Sequence, residues 1–445
     1  MNTKKRYRKL ILWCLGLDLI AMLCLGYRYL DRRIPDELHV EEDQESQVQK
    51  VLEHPLLTFE DSVSVSGEGS YTLKCSILGV IPFKEIKVTP SVSPSVYVSG
   101  STAGIYMETD GVLIIDTGEI LSEEGTTEEP AKDVVKPGDY IVAFDSQTIR
   151  SKKDLIEDIR NLNGESVELE VLRNDRIIPL SLTPVKDMQG SYKLGIWVRD
   201  NTQGIGTITF VDENGSYGAL GHGISDVDTG DLLKIEKGAL YQAEILGIQK
   251  GSNGSPGELA GLIRYDPDRV IGTIQKNTEN GIYGEFTGLA DKIAMTKMTV
   301  AYKQELETGP AKILCCVDGS VSAYDAEIVK IDLNHEDTNK SFVIRVIDPD
   351  LLEKTGGIVQ GMSGSPVIQN GKFAGAVTHV FVQDSTSGYG IFAETMLEKT
   401  CRNEPHKKSQ RMPPKNQNKG FLVIIKVETG RFKVNESSVF LPVSA

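Results

Sequence analysis

"GGIVQGMSGSP", residues 356–366, is the stretch on which the reading of this chain turns. It is poor in side chains, sets two serines among glycines and ends in proline. Glycine reaches positive φ without a Cβ clash, so a tight bend accounts for the glycines. It does not account for a serine at the centre. A reactive hydroxyl on such a bend needs the same composition, because neighbouring backbone N–H groups must converge on a substrate oxygen.

A serine acts as a nucleophile only beside a base that takes its proton and a carboxylate that orients the base. Six histidines are available. His39 and His54 lie in an acidic stretch, His406 in a basic tail and His335 in the polar "LNHEDTNK". His222 stands between two glycines in "YGALGHGISD", with room at a strand end. His379, in "AVTHVFV" just past the serines, reads as a pocket wall together with Thr378 and Val380. For the acid, Asp226, Asp228, Asp318, Asp348 and Asp350 all remain open. Asp348 ends the hydrophobic run "VIRVID", where a carboxylate is half-buried yet able to reach an imidazole.

The rest of the chain sets the context. At 445 residues it is too long for one core, and a net charge of −15 argues against nucleic-acid binding. "KKRYRK" precedes an apolar run that is interrupted only by Asp18, so residues 1–30 read as a signal-anchor or export segment with the body outside. Residues 31–66 are acidic and Ser-rich and read as a linker; residues 67–97 alternate and read as a small β module. From about 187 to 400, short strands separated by Gly turns predict a sandwich or a barrel pair. Cys315 and Cys316 are adjacent and fall in no metal-binding or disulfide pattern. No role is read from residues 401–445, and no cofactor or metal is implied.

Residues 98–186 carry "KPGDYIVAFDSQTI", "DLIEDIRNLNG" and "VELEVLR…IPLSLTPV", with a helix capped by Ser151 and a hairpin turning at Asn174-Asp175. This order resembles a PDZ domain. The resemblance implies peptide capture at a sheet edge, with residues 101–105 (Ser101, Thr102, Ala103, Gly104 and Ile105) as the counterpart of the carboxylate-binding loop.

"GMSGSP" resembles the nucleophile turn of chymotrypsin-like serine peptidases. That resemblance implies Ser363, not Ser365, as nucleophile, and the amides of Gly361 and Ser363 as oxyanion donors. Met362 stands where that family has an acid that pairs with a new N-terminus, so activation by such an ion pair is not expected. Together, the export segment, the PDZ-like unit, "GALGHGISD" and "TGGIVQGMSGSPVIQNGKFAGAVTHVF" resemble the stage IV sporulation protein B family of signalling peptidases over residues 1–400. The resemblance implies a mostly β chain with a chymotrypsin-like double barrel, and a triad of His222, Asp348 and Ser363. It also implies self-cleavage and a membrane-bound regulatory subunit of an intramembrane metalloprotease as substrate. The chain would be membrane-anchored and then released into the space between forespore and mother cell membranes. A non-catalytic PDZ scaffold on a degenerate peptidase fold is the alternative.

Overall fold

The computed structural model describes residues 2–40, 54–66, 70–252, 254–287, 293–335, 337–401, 423–428 and 431–434. The apolar run forms one helix, α1 (Asn2–Arg33). Over Tyr7–Arg33 it is long and apolar enough to cross a membrane, and side chains such as Leu12 and Trp13 are exposed.

Directly after α1 comes β1 (Glu37–Val40), which pairs in parallel with β4 (Ile81–Pro90); β3 (Ser70–Ile77) and β2 (Leu57–Ser66) complete a four-stranded sheet in the order β1-β4-β3-β2. Leu38, Leu73, Cys75, Ile86 and Val88 fill its core. The stretch expected as a linker, residues 31–66, thus contributes two strands. Leu38 and Val40 point inward at period two, a signal only four residues long and submerged in acidic neighbours.

Next follow β5 (Ser95–Val98) and a 16-residue strand, β6 (Thr102–Thr117). The first half of β6 belongs to a barrel and the second half to the PDZ-like unit. That unit contains β7 (Tyr140–Phe144), α2 (Lys152–Arg160), β8 (Val167–Arg173) and β9 (Arg176–Leu182). The chain returns through a second 16-residue strand, β10 (Ile196–Val211), antiparallel to β6 along its length. The PDZ unit is therefore inserted into a barrel hairpin rather than placed before the barrels. Expected boundaries of 98–186 and 187–400 assign the whole of β6 to the PDZ-like unit and the whole of β10 to the peptidase part, although each strand pairs in both. Ser151 caps α2 in a capping box with Asp154, and Asn174 and Asp175 both take positive φ at the β8–β9 turn.

The first barrel closes in the order β6, β10, β11 (Ser216–Ala219), β15 (Gly281–Phe286), β14 (Val270–Thr278) and β12 (Ile235–Gln249), the last pairing back onto β6. A further strand, β13 (Glu258–Ile263), extends from β12, and residues 423–428 of the tail pair with β13. The second barrel closes through β16 (Gly309–Cys316), β17 (Val321–Ile331), β18 (Phe342–Val346), β21 (Ser387–Phe392), β20 (Lys372–Val380) and β19 (Pro366–Gln369). Each barrel has its own buried core: Ile105, Met107, Ile208 and Tyr217 in the first, Ile313, Ile344, Val367 and Phe392 in the second. Cys315 is buried as a small hydrophobe.

Replacing Ser151 by Ala removes a cap that serves the Asp154 N–H, and should lower stability by about 1 kcal/mol, with Asp at 151 restoring most of it. Urea denaturation of the two variants checks this.

Candidate functional site

Two turns meet between the barrels. One follows β11, and the other lies between α3 (Pro349–Thr355) and β19. In the first, the Gly221 N–H donates to the Ala219 carbonyl at 2.9 Å across Leu220, whose φ is +69°. A three-residue turn with positive φ at a buried leucine is strained, and strain of this kind collects at functional sites. It swings the chain sharply, so that His222 leaves the barrel wall.

The second turn is held by β10. Thr207 donates from its backbone N–H to the Ser363 carbonyl (3.0 Å) and from Oγ1 to the Gly361 carbonyl (2.9 Å). Thr209 Oγ1 donates to the Gly364 carbonyl at 2.8 Å. Both threonines are buried. The amides expected to hold an oxyanion are aimed by their own peptide planes, because the C=O and N–H of a trans peptide point oppositely. The Gln360 carbonyl accepts from the Leu259 N–H (2.9 Å), which turns the Gly361 N–H the other way; the Met362 carbonyl accepts from the Ser365 N–H (2.9 Å), which does the same for Ser363. Neither amide donates to an acceptor among the described residues.

The two turns touch backbone to backbone. A Cβ on Gly364, whose φ is +92°, would lie 2.3 Å from the Thr207 oxygen and 2.5 Å from the Leu220 nitrogen. A Cβ on Gly221 would lie 2.9 Å from Thr378 Cγ2. His222 thus rests against the strand that leaves the serine turn, and its ring centroid is 4.7 Å from that of His379.

His222 is half-buried, and its Nδ1 lies 2.8 Å from the Gly223 carbonyl. A carbonyl only accepts, so Nδ1 carries the hydrogen and Nε2 keeps its lone pair. Burial pushes the imidazole below the ordinary histidine range, with the Gly223 bond acting in the opposite sense. His379 is held low as well, by burial first and by the His222 ring second, with Asp337 acting in the opposite sense. Ser363 is half-buried, and its Oγ donates to the Thr378 carbonyl at 2.8 Å. Ser365 is fully buried, its hydroxyl sealed from any substrate. Met362 is also buried and packs in the second core, where a carboxylate would be costly.

Three expectations are corrected here. Asp348 shares no hydrogen bond or ion pair with His222 among the described residues. Its Oδ1 caps α3 through the N–H groups of Asp350 and Leu351, and its Oδ2 accepts from the Asp325 N–H. Burial opposes its charge, but these three donors outweigh that and hold the carboxyl below the usual carboxylate range. Asp226 and Asp228 are engaged too: Asp226 is buried against Arg199, and Asp228 lies 2.9 Å from the same guanidinium. Thr378 does not present its side chain to a pocket; it is buried and donates to the Asn339 carbonyl. Val380, at the end of β20, is half-buried.

The third correction concerns residues 101–105. Gly104 pairs with Ile205 of β10 on one side and Tyr241 of β12 on the other, and Ala103 and Ile105 are buried. A strand flanked on both edges cannot take up a third. The edge that is open lies elsewhere: residues 196–199 of β10 pair only with β6 among the described residues, and the N-terminus of α2 is tied beside them by the Lys152 N–H to Asp200 (2.8 Å). The preceding "YKLG" turns at Gly195, φ +67°. The small apolar "LGI" after a hairpin was the available signal, hidden because the strand runs on into the barrel.

Residues 190–397 match the family described as SpoIVB peptidase S55. Over that stretch, just under half of the chain, the protein is similar to SpoIVB peptidases. The other likenesses are partial. A putative zinc metalloprotease of Xylella fastidiosa (strain Temecula1 / ATCC 700964) is 31% identical over 122 residues, 27% of this chain and 24% of that protein. The chain thus spans about a quarter of the length of that curated relative. The PDZ domain of an SdrC-like protein from Listeria innocua is 23% identical, covering 20% of this chain and 94% of that one, with a TM-score of 0.18. The active form of the Rv3671c protease from M. tuberculosis is 19% identical, covering 46% and 78%, with a TM-score of 0.27.

Gly364→Ala should cost about 2–4 kcal/mol of stability, since backbone must move to admit the methyl group. Gly247→Ala, where a Cβ meets nothing within 4 Å, should stay within about 0.5 kcal/mol of the parent. Thermal unfolding of both checks the contact between the turns.

Proposed function

We propose that the chain is a membrane-tethered serine endopeptidase in which Ser363 is the nucleophile and His222 the general base. The observation that carries this reading is the backbone contact of Gly364 with Leu220, which sets the two turns against each other. Ser363 Oγ attacks a peptide carbonyl and its proton passes to Nε2 of His222. The tetrahedral oxyanion is received by the N–H groups of Gly361 and Ser363, a donor being worth roughly 3 kcal/mol of barrier. His222 then returns the proton to the leaving amine, and water, deprotonated by the same imidazole, releases the acyl group. The Gly223 carbonyl, rather than Asp348, orients the ring and fixes its tautomer.

One observation favours a non-catalytic scaffold: Ser363 Oγ is bonded to the Thr378 carbonyl rather than to His222. Rotation about χ1, one staggered well to the next, is enough to redirect it. The peptide that regulates the site would add as a strand along residues 196–199 beside α2. Arg199 on that strand is paired with Asp226 and Asp228, four and six residues past the base. Occupancy of the groove would thereby be felt at the His222 turn. Family likeness supports self-cleavage within residues 31–66, cleavage of a membrane-bound regulator of an intramembrane metalloprotease, and action between forespore and mother cell membranes during sporulation. Of the 31–66 segment, residues 37–40 are already paired in the sheet, and residues 41–53 lie outside the described residues.

Purified chain should shorten with time while Ser363→Ala stays intact, and a fluorophosphonate should label the parent alone; intact, unlabelled parent supports the scaffold. Asn caps a helix as well as Asp, so Asp348→Asn should keep kcat/KM within about three-fold. Loss of a triad carboxylate instead costs roughly 10⁴-fold. Because only neutral His222 accepts a proton and burial depresses its pKa, the acid limb of kcat/KM should fall below about pH 6.5. A limb at pH 7 or above contradicts the assignment.

A further inference from the structure

A cavity of about 880 Å³ lies where the C-terminal end of α1 meets the second barrel, away from both turns. Arg28 and Arg32 line it from the helix, and Lys303 and Lys330 from the barrel side. Arg32 is engaged by Asp332, 3.4 Å away. Arg28, Lys303 and Lys330 make no ion pair among the described residues. Uncompensated cations gathered on a chain of net charge −15 mark a local anion site.

The rest of the lining joins an apolar wall that includes Leu25, Leu306 and Val329 to polar groups, with Arg33 as a further cation and the carboxylates of Glu307 and Asp332 among them. The junction is fastened: the Leu333 N–H donates to the Arg32 carbonyl at 3.1 Å, and Asn334 Nδ2 donates to the carbonyls of Asp31 and Ile34. Depth follows from helix geometry. The apolar residues 10–27 rise about 27 Å at 1.5 Å each, close to the hydrocarbon thickness of a bilayer. Arg28 then stands at the headgroup level, between Tyr27 and Tyr29, which suit that interface.

We propose that this cavity holds the phosphate of an anionic phospholipid, with Arg28, Lys303 and Lys330 around the headgroup and an acyl chain running down past Leu25. A soluble phosphate satisfies the cations but leaves the apolar wall wet, which favours a lipid as the source. The site would fix the height and orientation of the peptidase body over the membrane that carries its anchor. This requires α1 to stay in the bilayer but is independent of proteolysis.

The test is native mass spectrometry of the full Ser363→Ala chain released from micelles containing equal phosphatidylglycerol and phosphatidylcholine. The expected result is phosphatidylglycerol retained at least about five-fold over phosphatidylcholine. The preference should vanish in Arg28→Gln/Lys303→Gln/Lys330→Gln and survive in Arg28→Lys, with unfolding midpoints of all variants confirming that they fold. Equal retention of the two lipids, or a preference that persists in the triple variant, overturns the proposal. So does protection from unfolding by millimolar inorganic phosphate without any lipid preference, which would assign the cations to a free anion.

Discussion

The arrangement depends on one close approach: the backbone at Gly364 packed against the backbone at Thr207 and Leu220. Nothing larger than glycine fits there. The contact joins a turn of the second barrel to a strand and a turn of the first, so the proposed reacting groups, His222 and Ser363, come from elements some 140 residues apart in sequence. Closed barrels make the contact reproducible. With no free edges in either ring, neither turn can relax by letting its strand slip. Thr207 and Thr209 convert that rigidity into local order, since the carbonyls they bind would otherwise be buried without partners.

The inserted PDZ unit uses the same framework. β6 and β10 leave the first barrel as one long ribbon and return the chain to the strand that grips the serine turn. The loop after His222 leans on the PDZ side through Arg199 with Asp226 and Asp228, through Lys234 with Asp175, and through the Lys234 N–H to Tyr140 Oη (3.1 Å). Under the proposed assignment, a perturbation at the PDZ edge would reach His222 before Ser363. The strained turn at Leu220 is the element poised to respond, being already displaced from its intrinsic minimum.

Much of this was legible in the sequence, for local reasons. Glycines flanking Ser363 and His222 announced sharp turns, the short Gly-punctuated strands announced a sandwich or barrel pair, and Ser151 and Asn174-Asp175 announced the PDZ helix and hairpin. What failed depended on pairing at a distance. Residues 101–105 look like a loop opening a PDZ unit, yet two strands from later in the chain close over them. Asp348 ends a hydrophobic strand, a fit place for a buried triad acid, but it also precedes Pro349, and a proline at the first helical position marks its predecessor as a cap. The short β1 was masked by charge. No local pattern could reveal that two 16-residue strands would each serve two units.

The central claim, that His222 serves Ser363 across the two turns, is tested most directly by a crystal structure of the chain after reaction with a fluorophosphonate. The account predicts phosphorus bonded to Ser363 Oγ, one phosphonyl oxygen on the Gly361 and Ser363 amides, and Nε2 of His222 within hydrogen-bond reach of the adduct. An unmodified serine, or an adduct with His222 turned away and its amides pointing elsewhere, would contradict it.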